Sequence, residues 1–197
     1  MTALAISNIV LWVVVLALLV VVLALTRQVG VLHERIAPAG ALMLNKGLAV
    51  GEQVPPIDVV DLDGRPLRLG APRTDGMSTL ILFVSPTCPV CESLLPVVKS
   101  SRKDEESWLQ IVLASDGDPG VQREFVRSHG LTAFPYVVSA PLGMTYQVSR
   151  LPFAALLDAG GKLRARGLVN SREHLESLFE AQRLGVASLQ EYFASRA

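Results

Sequence analysis

The two cysteines of this 197-residue chain stand three positions apart, in Ser85-Pro-Thr-Cys-Pro-Val-Cys91. Thiols at that spacing can close a disulfide, share a metal ion, or exchange electrons with the cysteines of another protein. As a staple the pair would do little, because a loop this short removes little entropy from the unfolded chain. A structural zinc site needs four nitrogen or sulfur ligands. The chain has no second cysteine pair, and its three histidines, His33, His129 and His174, lie far off in sequence. Each reads as an ordinary surface or half-buried histidine. Neither a metal nor a cofactor is expected, and redox exchange is the reading that the spacing supports best.

That chemistry depends on where the motif sits. Ser78 to Val84, STLILFV, is a continuous apolar run of strand length, as expected of a central strand buried on both faces. From Cys91 to about Glu106 the pattern predicts a helix, apolar at Leu94, Leu95, Val97 and Val98 and charged at its end. The cysteines therefore mark a strand-to-helix junction. A helix N-terminus presents unpaired N–H groups and a partial positive charge, which stabilise a thiolate. Cys88 is expected to be the acidic nucleophile, and Cys91, one turn inside, the shielded thiol that resolves a mixed disulfide. Pro89 loses nothing by lacking an N–H in the first turn. With Val90 it keeps the active turn rigid. Glu92 suits a helix N-terminus but opposes a nearby thiolate.

The remaining elements follow from pattern. Ile57 to Val60, a turn at Asp63-Gly64, and Leu67 to Leu69 read as a hairpin-like entry. Gln110 to Ala114 reads as a buried strand, and Asp118-Pro119 opens a helix to about His129, stopped by Gly130. Tyr136 to Val138 is a short strand, Gly143 to Gln147 a short helix or turn, and Phe153 to Leu157 a strand. Gly160-Gly161 turns into Lys162 to Gly167, and Asn170 with Glu173 resembles a capping box for a last helix, Ser171 to Leu184. The order is a βαβαβ core closed by an antiparallel hairpin and a helix, which predicts an α/β sandwich. Pro96 falls inside the first helix and predicts a kink. Leu151-Pro152, just before a strand, is a candidate cis peptide.

Half of the residues are hydrophobic and the formal net charge is zero, so no long-range field draws the chain to nucleic acid. The hydrophobicity is concentrated at the start. Met1 to Thr26 carries no charged side chain, and a helix from Ile6 to Leu25 would span the roughly 30 Å of a bilayer's hydrocarbon core. No Lys or Arg precedes the run, and Leu23-Ala-Leu25 is a poor cleavage site, so an uncleaved anchor is expected rather than a signal peptide. The first charges, Arg27, Glu34 and Arg35, follow the span, which by the positive-inside rule alone favours a cytoplasmic domain, though a small excess does not compel it. The expected organisation is an anchor over residues 1–28, a juxtamembrane connector over 29–50, a folded domain over 51–184 and a helical tail over 185–197. Within the connector, VLHERIAPAGALM could form a short helix on the bilayer or on the domain.

The CPVC turn, Pro96 and the Pro152 hairpin LPFAALLDAGGKLRARG resemble the thioredoxin superfamily, from about Gly51 to Leu184. The leading stretch GEQVPPIDVVDLDGRPLRL and the long spacing from Cys91 to Pro152 resemble its membrane-anchored TlpA and peroxiredoxin-like branch. The resemblance implies a thioredoxin-like three-layer sandwich and a redox-active Cys88–Cys91 disulfide. It also implies a cis Pro152 beside that pair, with the backbone of Leu151 offered to a substrate segment. Peroxiredoxin activity is disfavoured, since Ser85 and Ile81 replace that family's Thr and Pro. Leu82 stands where thioredoxins often bury an acid and Thr87 where they carry Trp, which leaves a proton acceptor for Cys91 unidentified.

The apolar span followed by VGVLHERIAPAGALM and then SPTCPVC resembles, over essentially the whole chain, the MauD family of methylamine dehydrogenase accessory proteins. That resemblance implies an inner-membrane protein with a periplasmic domain, against the weak charge signal. It further implies thiol–disulfide chemistry during maturation of the methylamine dehydrogenase small subunit, with a second, unidentified thiol partner. Two alternatives stay open: a general TlpA-like reductase for cytochrome c maturation, and a non-enzymatic assembly chaperone or metal-delivery protein on the same fold. Loss of c-type cytochromes on deletion would favour the first, and activity without either cysteine the second.

Overall fold

The computed structural model describes residues 6–8, 11–23 and 48–184. Most of the connector, with His33, and the whole tail from residue 185 lie outside them. The chain forms two compact units, Met1–Lys46 and Gly47–Ala197.

The first unit contributes helix α1, Ile6–Leu23, 18 residues of mean hydropathy 3.0 with no residue buried inside the fold. At about 1.5 Å per residue it is about 27 Å long. From Leu11 to Leu23 it is apolar at every residue and so on every side, as suits a lipid surround and not a one-sided protein core. It is long and apolar enough to cross a membrane. The last two residues of the expected span, Ala24 and Leu25, fall outside the described residues.

The second unit runs β1 (Ile57–Val60), β2 (Pro66–Leu69), β3 (Ser78–Phe83), α2 (Pro89–Asp104), β4 (Leu109–Ser115), α3 (Pro119–Ser128), β5 (Tyr136–Val138), α4 (Ala140–Thr145), β6 (Phe153–Leu157), β7 (Leu163–Leu168) and α5 (Arg172–Leu184). The main sheet has the order β5-β4-β3-β6-β7, and β1 pairs with β2 in a separate hairpin. β3, β4 and β5 are parallel, whereas β6 and β7 are antiparallel to their neighbours. Strand order advances in one direction through β3, α2, β4, α3 and β5, so right-handed crossovers place both helices on one face.

Burial shows the two faces. Leu80, Leu82 and Val84 pack with Cys91, Leu94, Leu95 and Val98 of α2, Phe125 of α3, and Leu175 and Phe179 of α5. The alternate residues Ile81 and Phe83 pack instead with Leu69, Leu142 and Tyr146, from the hairpin and α4. β3 is thus buried on both sides along its length, which explains the uninterrupted apolar run from Leu80 to Val84. Burying each of its large side chains is worth about 1.5–3 kcal/mol. Helices, sheet, and hairpin with α4 form the three expected layers.

Local signals place some element ends differently from the sequence reading. Helix α2 begins at Pro89, two residues before the expected Cys91, because Cys88 itself is the N-cap. Pro96 sits inside α2 without ending it. Helix α4 begins at Ala140 and not Gly143, since the Ser139 hydroxyl accepts the Leu142 N–H at 3.3 Å. The cap of α5 is Ser171, not Asn170: its hydroxyl accepts the His174 N–H at 3.3 Å. Helix α3 starts as expected, with the Asp118 carboxylate taking the Gly120 and Val121 N–H groups at 2.8 and 3.0 Å.

The link from β2 to β3 is held by charge. Arg73 pairs with Asp75, donates to the Gln110 side chain, and gives its backbone N–H to Ala159 at 2.7 Å. The Arg73 guanidinium, then the Met77 N–H, lower the Asp75 carboxyl to about 2. A lowered carboxylate stabilises the fold above its unfolded value, near 3.8, and ceases to do so as pH falls through about 2. An Asp75→Asn chain is therefore expected to lie below the parent in melting temperature at neutral pH, the gap closing as pH falls from 4 toward 2. Melting curves at those pH values check this.

Candidate active site at the Cys88–Cys91 disulfide

Where β3 ends the chain turns sharply into α2. The Cys88 N–H donates to the Ser85 carbonyl at 3.1 Å and the Thr87 N–H to the Ser85 hydroxyl at 3.3 Å. Cys88 has extended backbone angles, φ −105° and ψ 103°, as an N-cap requires. Its sulfur lies 3.2 Å from the Cys91 N–H, so the orphan donor of the first turn points at the atom that would carry thiolate charge. The two cysteines are joined in a disulfide, their Cα atoms 5.2 Å apart.

Accessibility divides the pair. Cys91 is completely buried against the helix-side core, whereas Cys88 is half-buried and the flanking Pro89 and Val90 are exposed. An incoming thiolate can reach Cys88 and not Cys91. The Leu151–Pro152 peptide is cis. Phe153 pairs with Phe83 in the β3–β6 register, which sets Pro152 level with Val84, the residue before the SPTC turn. Pro152 is buried and its carbonyl accepts the Val169 N–H at 3.0 Å, while Leu151 is 36% exposed. Six positions singled out from sequence, Cys88, Pro89, Val90, Cys91, Leu151 and Pro152, thus converge on the C-terminal end of β3. A cleft of about 600 Å³ opens at the same end, with Phe83 and Ala114 among its apolar walls and Ser115, Asp116, Met144 and Leu151 among its other lining residues.

Leu82 is fully buried in the cluster that holds Cys91. Among the described residues, the buried polar side chains are Asp61, Ser78, Thr79, Ser101, Ser115 and Gln122. The one carboxylate in that set, Asp61, is spent on the β1–β2 turn, accepting the Asp63 and Arg65 N–H groups at 3.0 and 2.8 Å. A separate buried contact shapes the β4–α3 loop. The Tyr136 hydroxyl, pushed up to about 12 by burial, stays protonated and donates to Gln122 at 2.6 Å, and Gln122 donates to the Asp116 carbonyl at 2.8 Å.

The histidines divide. His174 is exposed on the first turn of α5. His129, read from sequence as ordinary, is the C-cap of α3, and its Nε2 lies 3.0 Å from Glu92 in the first turn of α2. No local signal links residues thirty-seven apart. Only the crossover that places α2 and α3 on one face brings them together.

These features define the class: a thioredoxin-fold protein with a CxxC disulfide capping the helix after its central strand and a cis-proline loop at the same end. The thioredoxin domain of a thiol-disulfide oxidoreductase from Bacteroides vulgatus matches 68% of the chain and 98% of its own length at TM-score 0.57 and 18% identity, which supports the fold. No protein-family model matches the chain. The methylamine utilization protein MauD of Paracoccus denitrificans is 48% identical over 190 residues, 96% of this chain and 94% of that protein. MauD of Paracoccus versutus is 45% identical over all of this chain and 98% of its own length. The chain belongs to the MauD family.

Proposed function

We propose that the chain is a membrane-anchored thiol–disulfide oxidoreductase, its domain in the periplasm, acting on the methylamine dehydrogenase small subunit as that subunit matures. The observation that carries the chemistry is the asymmetry of the pair: a reachable Cys88 whose sulfur faces a helix N-terminal N–H, and a buried Cys91 behind it. Helix α1 supports the anchor, and family membership supports the link to methylamine use.

In the oxidising direction a client thiolate attacks the Cys88 sulfur, the Cys88–Cys91 bond breaks, and Cys91 leaves with the electron pair. A second client thiolate then attacks the client sulfur of the mixed disulfide, Cys88 departs as a thiolate, and the client holds a new disulfide. Two electrons have passed to the pair. In the reducing direction the steps reverse: Cys88 attacks a client disulfide and Cys91 resolves the adduct. Burial of Cys91 confines the first contact to Cys88 in both directions. Val90, Leu151 and the cis Pro152 loop form the surface on which a client segment would rest.

Thiol labelling in intact methylamine-grown cells tests the location. A membrane-impermeant maleimide applied after mild reduction is expected to label Cys88, and blocking only after lysis would overturn the periplasmic placement. Deletion of the chain is expected to abolish active methylamine dehydrogenase while sparing c-type cytochromes. Loss of both would instead favour a general reductase.

A further inference from the structure

We infer that His129 is a positioning residue for the redox pair: it holds the Glu92 carboxylate against α3, away from Cys88, and so governs how readily Cys88 forms a thiolate. The inference rests on the redox reading of Cys88 and Cys91.

Glu92 is four residues beyond Cys88, and its backbone N–H donates to the Cys88 carbonyl at 3.2 Å, so the two residues lie one helical turn apart. A carboxylate at this position is attracted by the same N-terminal N–H groups that stabilise a Cys88 thiolate. Left unpaired, it would compete for that field and repel the thiolate directly. In the structure its Oε1 is instead 3.0 Å from His129 Nε2.

The histidine is the fixed member of this pair. Its Nδ1 is 3.1 Å from both the Phe125 carbonyl and the Ser128 hydroxyl, and its ring is 4.5 Å from the Phe125 ring. Its carbonyl accepts from Lys99 of α2, which ties the end of α3 to the active-site helix. The His129 side chain is 27% exposed, against 62% for Glu92. The imidazole, held at Nδ1 and against Phe125, therefore sets where the more exposed carboxylate rests. Of the neighbouring charged side chains, Lys99 of α2 is taken up by the His129 carbonyl, and Arg127 in the last turn of α3 pairs with Glu124 rather than with Glu92.

The test uses the full chain in detergent. Its disulfide is equilibrated with glutathione redox buffers, and the reduced form is titrated by thiolate ultraviolet absorbance. His129→Gln is expected to make the disulfide harder to reduce, by about two- to fivefold in the exchange constant, the scale of one charge at a helix terminus. It should also move the thiolate titration to higher pH. Glu92→Gln, an exposed change that spares the fold, is expected to shift both readouts the opposite way. In the Glu92→Gln background, adding His129→Gln should change nothing further. A merely structural tie would alter melting temperature and leave both readouts in place, and that result overturns the inference. So does a His129→Gln shift that persists without Glu92. Failure of the parent disulfide to equilibrate at all would overturn the redox reading and this inference with it, whereas equilibration without a His129→Gln shift would overturn the inference alone.

Discussion

Replacing Cys91 with serine is expected to convert the chain into a covalent trap. Cys88 stays half-exposed at the start of α2, and its helix-terminal environment does not depend on the second sulfur, because the stabilising N–H belongs to the backbone of residue 91 and survives the substitution. It can still attack a client disulfide. What it loses is the buried thiol that attacks back, so the mixed disulfide persists until an external thiol reaches it, and turnover falls by about 100-fold or more, as when one member of a catalytic unit is removed. Cells growing on methylamine and expressing Cys91→Ser should yield a reductant-sensitive adduct with the methylamine dehydrogenase small subunit after acid quench and non-reducing electrophoresis. Cys88→Ser should yield none, because Cys91 is completely buried. Recovery of the Cys91→Ser chain free of that subunit would refute the client assignment while leaving the exchange chemistry to be judged on a model disulfide.

Gly161→Ala is expected to be among the most damaging single changes outside the site. Gly161 turns β6 into β7 with φ +82°, a region that disfavours any side chain with a Cβ. A Cβ there would also lie 2.8 Å from the Gly70 carbonyl carbon, with the attached oxygen closer still, and 2.7 Å from Gln53 Nε2. The backbone cannot retreat cheaply, since the Gly161 carbonyl accepts the Val54 N–H at 3.1 Å and Gln53 donates to the Gly70 and Gly160 carbonyls at 3.1 and 3.0 Å. Backbone strain and overpacking together make about 3 kcal/mol a reasonable loss. For a domain of this size that is a fall in melting temperature of roughly 10 °C. Gly167→Ala, where a Cβ meets nothing within 4 Å and φ is unstrained, provides the control and should melt within a few degrees of the parent. Equal melting of the two variants would show that the close approach of Gly161 to Gly70 and Gln53 does not lock the β6–β7 hairpin.

Both expectations use information of different origin. The cysteine pair at a helix terminus and the cis proline were legible in one dimension, because each rests on local chemistry. CxxC after an apolar strand places one sulfur at a helix terminus, and a proline opening a strand after a turn is where a cis bond is found. The strands were legible for a similar reason. Leu80 to Val84 is apolar at every residue because β3 is buried on both faces, and that needs no partner to be named. Element ends were less legible: Ser139 and Ser171 displaced the expected starts of α4 and α5, since several polar residues compete for each cap and packing selects among them.

What the sequence by itself determined about this protein is the chemistry it carries, the α/β order of its elements and an apolar helix long enough to cross a bilayer, all properties of residues near one another in the chain. Only the tertiary structure decided which sulfur is reachable, that Leu82 lies in the core cluster of Cys91 while the one buried acid among the described residues, Asp61, caps the β1–β2 turn, that Gly161 meets Gly70, and that His129 holds Glu92. Those facts depend on crossovers and sheet register that bring residues tens of positions apart into contact, and spacing along a chain does not encode a distance across it.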